Sequence, residues 1–167
     1  MEHVLFSTLI VKTLFLLRHA KSSWKYPLQD IYRPLQEKGI DRILRVAQKN
    51  GKTWNDIDAV FSSPAQRALH TASIACIESR LGCEKLTVVS SLYSFSDRPL
   101  LEFVHQLDDH LQAVMLVGHN PALTQLANHL SNRPCPELKT AAWAKIQFDT
   151  STWNKVHNGT LTWEITS

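Results

Sequence analysis

Apolar and polar positions along the chain follow two alternating patterns, short apolar runs and longer stretches with the spacing of amphipathic helices. The short runs predict six β-strands, at residues 13–17, 59–61, 87–89, 114–117, 144–148 and 161–165. The longer stretches predict four helices, at about residues 37–50, 65–81, 100–108 and 122–130. Strands that alternate with helices are typical of an α/β domain, so we expect a mostly parallel central sheet flanked by helices.

Turn-forming residues mark several predicted helix boundaries. Gly51 and Gly82 follow the first and second helices, at positions where a left-handed residue often ends a helix. Pro64 and Pro121 stand where two strands lead into helices, and proline is favoured in the first turn. The same pattern leaves residues 21–35 as a long polar loop after the first strand.

The length of 167 residues fits a single domain with a sizeable core, which we assign to residues 12–167 after an N-terminal extension at residues 1–11. The apolar N-terminus has some features of a signal sequence. However, Glu2 and His3 stand in place of a basic segment and Lys12 interrupts the apolar run, so we expect neither cleavage nor anchoring. Because no apolar stretch reaches the ~18 residues of a membrane-spanning helix, no membrane partner is expected.

Charge and cysteine content narrow the function classes. The net charge of +3 is spread along the chain, which favours an anionic ligand and disfavours a nucleic-acid partner. Three cysteines without a CxxC pair predict neither a disulfide framework nor a zinc ribbon, although pairing of Cys76 or Cys83 under oxidation is an alternative. Reduced thiols are typical of cytoplasmic proteins, and that is the location we expect. The histidines share no ligand spacing, so no metal site is predicted.

Arginines and histidines follow three of the predicted strands. Arg18 and His19 come directly after the first strand, and Arg67 lies a few residues beyond the second. His119 follows the strand at residues 114–117. Because ligands of open α/β sheets bind outside the carboxyl ends of the strands, we expect these four side chains to converge on one crevice.

Two arginines and two histidines in one crevice suit phosphoryl transfer. An arginine offers a charged planar fork of donors to phosphate oxygens. A neutral imidazole can attack phosphorus when one ring nitrogen is free and the other donates to a fixed acceptor, usually a backbone carbonyl. A second histidine, if protonated, can donate to the phosphoryl oxygens as their charge builds. This chemistry requires neither a metal ion nor a cofactor.

Four segments together resemble the histidine phosphatase superfamily, and within it the compact SixA-like phosphohistidine phosphatases. The segments are RHAKSSW (18–24), RPLQEKG (33–39), SSPAQRALHTA (62–72) and VGHNPALTQLANHL (117–130). The resemblance implies a three-layer, phosphoglycerate mutase-like fold that works without a cofactor. It also implies that His19 is the nucleophile that becomes transiently phosphorylated. By the same resemblance Arg18 and Arg67 bind phosphate, and His119 is the second histidine of the pocket.

The chain departs from the family pattern where many relatives carry a glutamate general acid. SixA-like sequences often read LYE there, whereas this chain reads LYSFSD and places Ser94 at that point, with Asp97 nearby. An alkoxide needs a proton as it leaves phosphorus, but the imidazole of phosphohistidine needs less help. The departure therefore favours a phosphohistidine substrate, with Asp97 as the fallback acid.

Three further residues are weaker candidates for substrate binding. Lys21 and Ser22 follow the proposed nucleophile, and Arg33 lies in the second motif. For Lys21 the alternative is simple solvation at the surface. For Arg33 the alternative is anchoring of the long loop.

The sequence therefore predicts a metal-independent phosphohistidine phosphatase that acts through phospho-His19. Its partner is expected to be a phosphohistidine-bearing protein, since a small domain with few insertions leaves the pocket open. One alternative is a small-molecule phosphomonoesterase of the same superfamily, which would act on a small phosphorylated substrate. Another is a non-catalytic phosphate-binding module, which would bind phosphate without turnover.

Overall fold

The computed structural model describes residues 11–164, and within that range the chain forms six strands and four α-helices. The strands are β1 (Val11–Arg18), β2 (Ala59–Ser62), β3 (Leu86–Val88), β4 (Ala113–Gly118), β5 (Trp143–Asp149) and β6 (Thr160–Glu164). The helices are α1 (Glu37–Trp54), α2 (Gln66–Glu78), α3 (Asp97–His105) and α4 (Ala122–Leu130). Each predicted strand and helix corresponds to one of these elements. Of the predicted extension, residues 1–10 lie outside the described residues, as does Ile165 at the end of the last predicted strand.

Helix boundaries differ from the prediction where tertiary packing outweighs local signals. Gly51 does not end the first helix, because α1 continues through it to Trp54, whose indole is fully buried. The second helix is shorter than predicted and ends at Glu78. Arg80 and Gly82 then adopt positive φ angles of 62° and 86° and turn the chain towards β3.

The six strands form one sheet in the order β3-β2-β4-β1-β5-β6. The pairs β2–β3, β2–β4 and β1–β4 are parallel, and β5 and β6 add two antiparallel pairings at one edge. The prediction of a mostly parallel central sheet is therefore confirmed.

Alternate residues of the central strands face opposite sides of the sheet, which produces two apolar cores. Leu14 and Leu16 of β1 pack on the side of α3 and α4, whereas Phe15 and Leu17 pack on the side of α1 and α2. Helices thus cover both faces of the sheet, and the predicted three-layer α/β architecture is confirmed.

The strand register brings the carboxyl ends of three parallel strands to one edge. Arg18 at the end of β1 pairs with Gly118 at the end of β4, and Ser62 of β2 pairs with Val117. The backbone N–H of His19 extends the ladder by donating to the Gly118 carbonyl over 3.0 Å. Residues just beyond these strands are therefore placed side by side.

Other features of the described chain bear on the composition-based expectations. Cys76, Cys83 and Cys135 are all free thiols, so the alternative of a disulfide is not realised. Burial raises the pKa of the Cys76 thiol to about 12, which keeps it protonated and unreactive. None of the helices found between residues 11 and 164 is long and apolar enough to cross a membrane.

Candidate active site

A cavity of about 500 Å³ opens at the carboxyl ends of β1, β2 and β4. All seven residues predicted for the pocket line it: Arg18, His19, Lys21, Ser22, Arg33, Arg67 and His119. Further lining residues come from the loop after β1 and from the segments before α3 and α4: Trp24, Asp30, Phe95 and Asn120. The convergence expected from the strand ends is therefore present in the fold.

His19 lies one residue beyond β1, and its ring is held in one tautomer. Its Nδ1–H donates to the carbonyl of Ala20 over 2.7 Å, which leaves Nε2 without a proton and able to accept from Nε–H of Arg67. The Ala20 peptide is itself fixed, because its N–H donates to the Thr71 hydroxyl on α2 over 3.0 Å. Burial lowers the pKa of His19 to about 4, and the positive charges of Arg67 and Arg18 act in the same direction. The ring is neutral at pH 7, as a nucleophile requires.

Arg67, in the first turn of α2, is almost completely buried and uses both edges of its guanidinium. One edge faces the histidines, with Nε 3.3 Å from Nε2 of His19 and Nη2 3.4 Å from Nδ1 of His119. The other edge faces Asp30: Nη1 donates to the Asp30 carbonyl over 2.6 Å, and Nη2 to Oδ2 over 2.9 Å. The guanidinium is thus fixed between the histidine pair and the loop after β1.

His119 follows β4 and packs beside His19, with ring centroids 5.1 Å apart. Its Nε2–H donates to the Ser63 hydroxyl over 2.8 Å, while Nδ1 accepts from Arg67. Burial, with smaller contributions from the neighbouring His19 and Arg67, lowers the pKa of His119 to about 3. The ring is therefore neutral, in contrast to the protonated state expected from the sequence. The charged donors facing the cavity are instead arginines and a lysine.

Arg18 reaches the rim of the cavity from the end of β1. Its Nη1 donates to the Leu138 carbonyl over 2.7 Å and lies 3.6 Å from the Glu137 carboxylate. Its Nε is buried and has no hydrogen-bond partner among residues 11–164. An unpartnered buried donor beside an anion pocket is a group that a phosphoryl oxygen can satisfy.

The weaker candidates in the loop after β1 play different parts. Lys21 is exposed at the cavity mouth, with its ammonium available to an anion. The Ser22 hydroxyl accepts from Arg33 Nη2 over 2.6 Å. Arg33 also donates through Nε to the Ser23 carbonyl and through Nη1 to Asp30. Because each nitrogen of Arg33 is engaged within the loop, the geometry favours the anchoring role for this residue.

The second motif holds the same loop against α1. Gln36 donates from its backbone to the Lys21 carbonyl over 2.8 Å and from its side chain to the Ser22 carbonyl over 3.0 Å. A Cβ at Gly39 would overlap the Lys21 carbonyl oxygen, so only glycine permits this approach. The motif therefore positions the backbone that follows the nucleophile.

The structure places Asp97, which the sequence offered as a fallback acid, outside the cavity lining, so that prediction is wrong. Asp97 begins α3 and pairs with His129 of α4 across 3.2 Å, away from the cavity lining. Ser94 is half-buried, and its hydroxyl donates to the Ser96 carbonyl. Tyr93 and Phe95 turn inward instead, and both rings pack against His119 with centroids 5.5 Å and 5.8 Å away.

Asp30 is the carboxylate that lines the cavity, and sequence reasoning missed it. Oδ1 accepts from Arg33 over 2.8 Å, and Oδ2 accepts from Arg67 and from the Tyr93 hydroxyl, the latter over 2.7 Å. Partial burial acts to raise the pKa of Asp30, but these hydrogen bonds outweigh it and hold the pKa well below its usual range. Asp30 is therefore ionised and cannot donate a proton to a leaving group. Its spacing of three residues before Arg33 was the one available signal.

The charge distribution of the cavity selects an anion. Arg18, Lys21, Arg33 and Arg67 line it, against the single carboxylate of Asp30. No group of three or more histidine, cysteine, aspartate or glutamate side chains is arranged to hold a metal ion within residues 11–164. The lining offers an anion charged hydrogen-bond donors and the neutral imidazoles of His19 and His119.

Comparisons with known proteins agree with this geometry. Residues 14–92 match the model of the histidine phosphatase superfamily (branch 1). An uncharacterized protein of Mycobacterium tuberculosis, MT1313, is 26% identical over 135 residues, which make up 81% of this chain and 82% of that protein. The putative phosphohistidine phosphatase SixA of Nakamurella multipartitia has a similar structure, with a TM-score of 0.78 at 20% identity over 93% of this chain and 96% of that chain. The mycobacterial glucosyl-3-phosphoglycerate phosphatase Rv2419c follows with a TM-score of 0.65 at 16% identity, over 93% and 98% of the two chains.

The structural matches establish the shared fold, and the matched family segment contains Arg18, His19 and Arg67. The fold brings His119 beside them, so the four motif residues meet in one pocket. Members of this superfamily are phosphatases and mutases. By its motifs, by the family match over residues 14–92 and by its fold, the chain is similar to members of the histidine phosphatase superfamily.

Proposed function

We propose that this protein is a phosphatase that removes the phosphoryl group of a protein-borne phosphohistidine through a phospho-His19 intermediate. The observation that carries the proposal is the state of His19, neutral, anchored at Nδ1 by the Ala20 carbonyl, with no proton on Nε2. An imidazole in that state has its lone pair available for in-line attack on phosphorus.

In the first step, Nε2 of His19 forms a bond to phosphorus while the P–N bond of the substrate breaks. If the other ring nitrogen of the substrate carries a proton, the leaving imidazole departs neutral with the electron pair of that bond. His19 keeps its Nδ1–H on the Ala20 carbonyl throughout. Arg67 and Arg18 neutralise the charge on the transferring oxygens, which is the main contribution of the protein to phosphoryl transfer.

In the second step, water attacks phosphorus and the P–Nε2 bond breaks, with its electron pair returning to Nε2. Both protons of the attacking water stay on the product, which leaves as dihydrogen phosphate, and His19 is neutral again. Neither step requires a protonated carboxyl in the cavity, where the carboxylate, Asp30, is ionised. The same lining offers an alkoxide no protonated carboxyl, which supports a phosphoramidate over an ordinary phosphomonoester.

Exposed apolar side chains around the cavity mouth support a substrate carried by a protein. Trp24, 75% exposed, and Phe95, 53% exposed, both line the cavity. Three more exposed residues lie in the same loop as Trp24: Tyr26, Leu28 and Tyr32. A polypeptide around the phosphohistidine has apolar surface to cover these side chains, whereas a sugar phosphate does not.

The substrate class is tested by comparing kcat/KM for a phosphohistidine-bearing protein with kcat/KM for simple sugar phosphates. The proposal predicts a preference for the phosphohistidine protein of at least about a hundredfold, because the cavity offers an alkoxide no protonated carboxyl. A preference for the sugar phosphates would establish the small-molecule alternative. Tight phosphate binding without turnover of either substrate would establish a non-catalytic module.

A further inference from the structure

The two edges of the Arg67 guanidinium face different partners. The edge formed by Nε and Nη2 lies against Nε2 of His19 and Nδ1 of His119, at 3.3 and 3.4 Å. The edge formed by Nη1 and Nη2 lies against the carbonyl and Oδ2 of Asp30, at 2.6 and 2.9 Å. A planar guanidinium held along one edge cannot rotate, so Asp30 determines which edge faces the histidines.

The carboxylate of Asp30 is in turn held by side chains other than Arg67. Its Oδ1 accepts from Arg33, whose guanidinium stacks on Trp24 with its central carbon 3.2 Å from the ring centroid. Its Oδ2 accepts from the Tyr93 hydroxyl, and the Tyr93 ring packs on His119. The carboxylate therefore connects three segments that meet at the cavity: the loop after β1, α2 and the segment before α3.

We propose that Asp30 is a positioning residue for phosphoryl transfer: by occupying one edge of Arg67, it holds the other edge between His19 and His119, where the phosphoryl oxygens bind. The proposal rests on the proposed function only in placing those oxygens between the two histidines. In the resting site, the Nε and Nη2 donors of Arg67 point at histidine nitrogens. A tetrahedral oxyanion seated there takes over both donors without any rotation of Arg67, because the contact with Asp30 is on the far edge.

A purely structural role for Asp30 makes a different prediction. Its contact with Arg33 anchors the loop after β1, and loss of that contact would loosen the loop whatever residue stood at position 67. Action through Arg67 instead requires Arg67 to be present. The two roles therefore separate in a double-mutant cycle.

The experiment measures the dissociation constant of orthovanadate, a tetrahedral oxyanion, for four proteins: wild type, Asp30→Asn, Arg67→Lys and the double variant. Orthovanadate binding needs no turnover, so the result is independent of which substrate the enzyme hydrolyses. We expect Asp30→Asn to weaken binding by about tenfold in the wild-type background, as is typical of a lost charge-assisted hydrogen bond. In the Arg67→Lys background, where no planar fork is left to orient, we expect a change of less than about twofold.

The matched control is Asp41→Asn, which removes an exposed carboxylate on α1 outside the cavity lining and is expected to leave binding unchanged. Equal weakening by Asp30→Asn in both backgrounds would overturn the proposal in favour of loop anchoring. Unchanged binding in the wild-type background would overturn it as well. If Asp30→Asn melts at a lower temperature than the assay allows, Asp30→Glu replaces it in the cycle. Glutamate keeps the charge but moves the carboxylate by one methylene. Equal weakening in both backgrounds, or unchanged binding in the wild-type background, would again overturn the proposal.

The Nε–H resonance of Arg67 in ¹⁵N spectra gives a second readout. A guanidinium held on two edges gives a sharp, slowly exchanging signal, and Asp30→Asn is expected to broaden it or hasten its exchange. A signal identical to that of wild type would show that Asp30 does not orient Arg67. The spectrum can be recorded without any turnover, so it tests the role of Asp30 even if phospho-His19 is never formed. Failure of this inference can therefore be told apart from failure of the proposed function.

Discussion

Arg67 donates its Nε–H to Nε2 of His19 across 3.3 Å, so the guanidinium lies directly against the nitrogen proposed to attack phosphorus. In the proposed mechanism the phosphoryl group enters at this contact, between the imidazole and the arginine fork. Once an oxygen of that group accepts from Arg67, the lone pair of Nε2 is released for attack. Binding of the substrate and exposure of the nucleophile are therefore the same event in this site.

Arg67→Lys tests whether the planar fork matters beyond its charge. A lysine ammonium keeps the charge but cannot contact both histidines together with the carbonyl and Oδ2 of Asp30. We expect kcat/KM to fall by roughly a hundredfold, the size of effect seen when a donor to transition-state charge is lost. Steady-state kinetics measure this, with Arg45→Lys on the exposed face of α1 as the matched control. A loss of less than about threefold would mean that charge alone suffices.

Asp97→Asn tests the conclusion that this carboxylate is not a general acid. Asp97 pairs with His129 at the contact between α3 and α4, away from the cavity lining. We therefore expect kcat of the Asp97→Asn enzyme to stay within about twofold of the wild-type value. The partly exposed ion pair is worth at most about 1 kcal/mol of stability, so the variant should unfold at slightly lower urea concentration. A hundredfold loss of kcat would restore Asp97 to the mechanism.

The lowered pKa values of the two buried histidines predict a stability that depends on pH. In the unfolded chain each imidazole titrates near its ordinary value of 6.5, but in the fold His19 titrates at about 4 and His119 at about 3. Between about pH 4 and pH 6.5 the unfolded chain therefore binds more protons, and the free energy of unfolding falls as the pH drops. The slope approaches about 1.4 kcal/mol per pH unit for each histidine.

Urea denaturation at pH 7, 6, 5 and 4.5 measures that slope, and NMR titration of the imidazole carbons assigns it to individual rings. His119→Gln keeps a donor for the Ser63 hydroxyl but removes one titrating group, so the slope should fall to about half. A midpoint near pH 6.5 for either ring would contradict the burial of both histidines in their neutral form.

Exposed aromatic residues at the cavity mouth predict a difference between large and small substrates. Tyr26→Ser and Tyr32→Ser remove apolar surface from the loop that borders the cavity, but keep the Trp24 ring stacked on Arg33 and the Phe95 ring packed on His119. We expect KM for a phosphohistidine-bearing protein to rise about tenfold, since exposed aromatic side chains often dominate the energy of protein contacts. KM for p-nitrophenyl phosphate should not change. Ile77→Ser on α2, equally exposed but outside the cavity, is the control, and a matching effect there would exclude specific docking.

The fold was predictable because the apolar periodicity along the chain is strong. The alternation in β1 separates Leu14 and Leu16 from Phe15 and Leu17, and the two cores follow from it directly. The end of α1 was not predictable, since Gly51 is a local stop signal. The helix continues because burial of Trp54 against α2 and the sheet outweighs that preference.

The residues proposed to be catalytic were predictable and their supporting residues were not, for a physical reason. His19, Arg67 and His119 follow strands, and the parallel sheet alone brings strand ends together. Asp30 reaches Arg67 only through the conformation of the loop after β1, which no periodicity encodes. Asp97 stands only four residues beyond Tyr93 in the sequence. Because it is the first residue of α3, however, its carboxylate contacts His129 of α4 and not the cavity.

The central claim is that His19 carries the phosphoryl group during turnover. Mixing enzyme with a phosphohistidine-bearing protein, quenching in alkali and measuring the intact mass and ³¹P spectrum tests it directly. The account predicts one phosphate per chain, bonded to Nε2 of His19, that forms and decays as fast as turnover and is absent from a folded, inactive His19→Ala variant. Addition of EDTA should change neither the label nor the rate. Turnover without the label, a label on another residue, or undiminished turnover by His19→Ala would contradict the account.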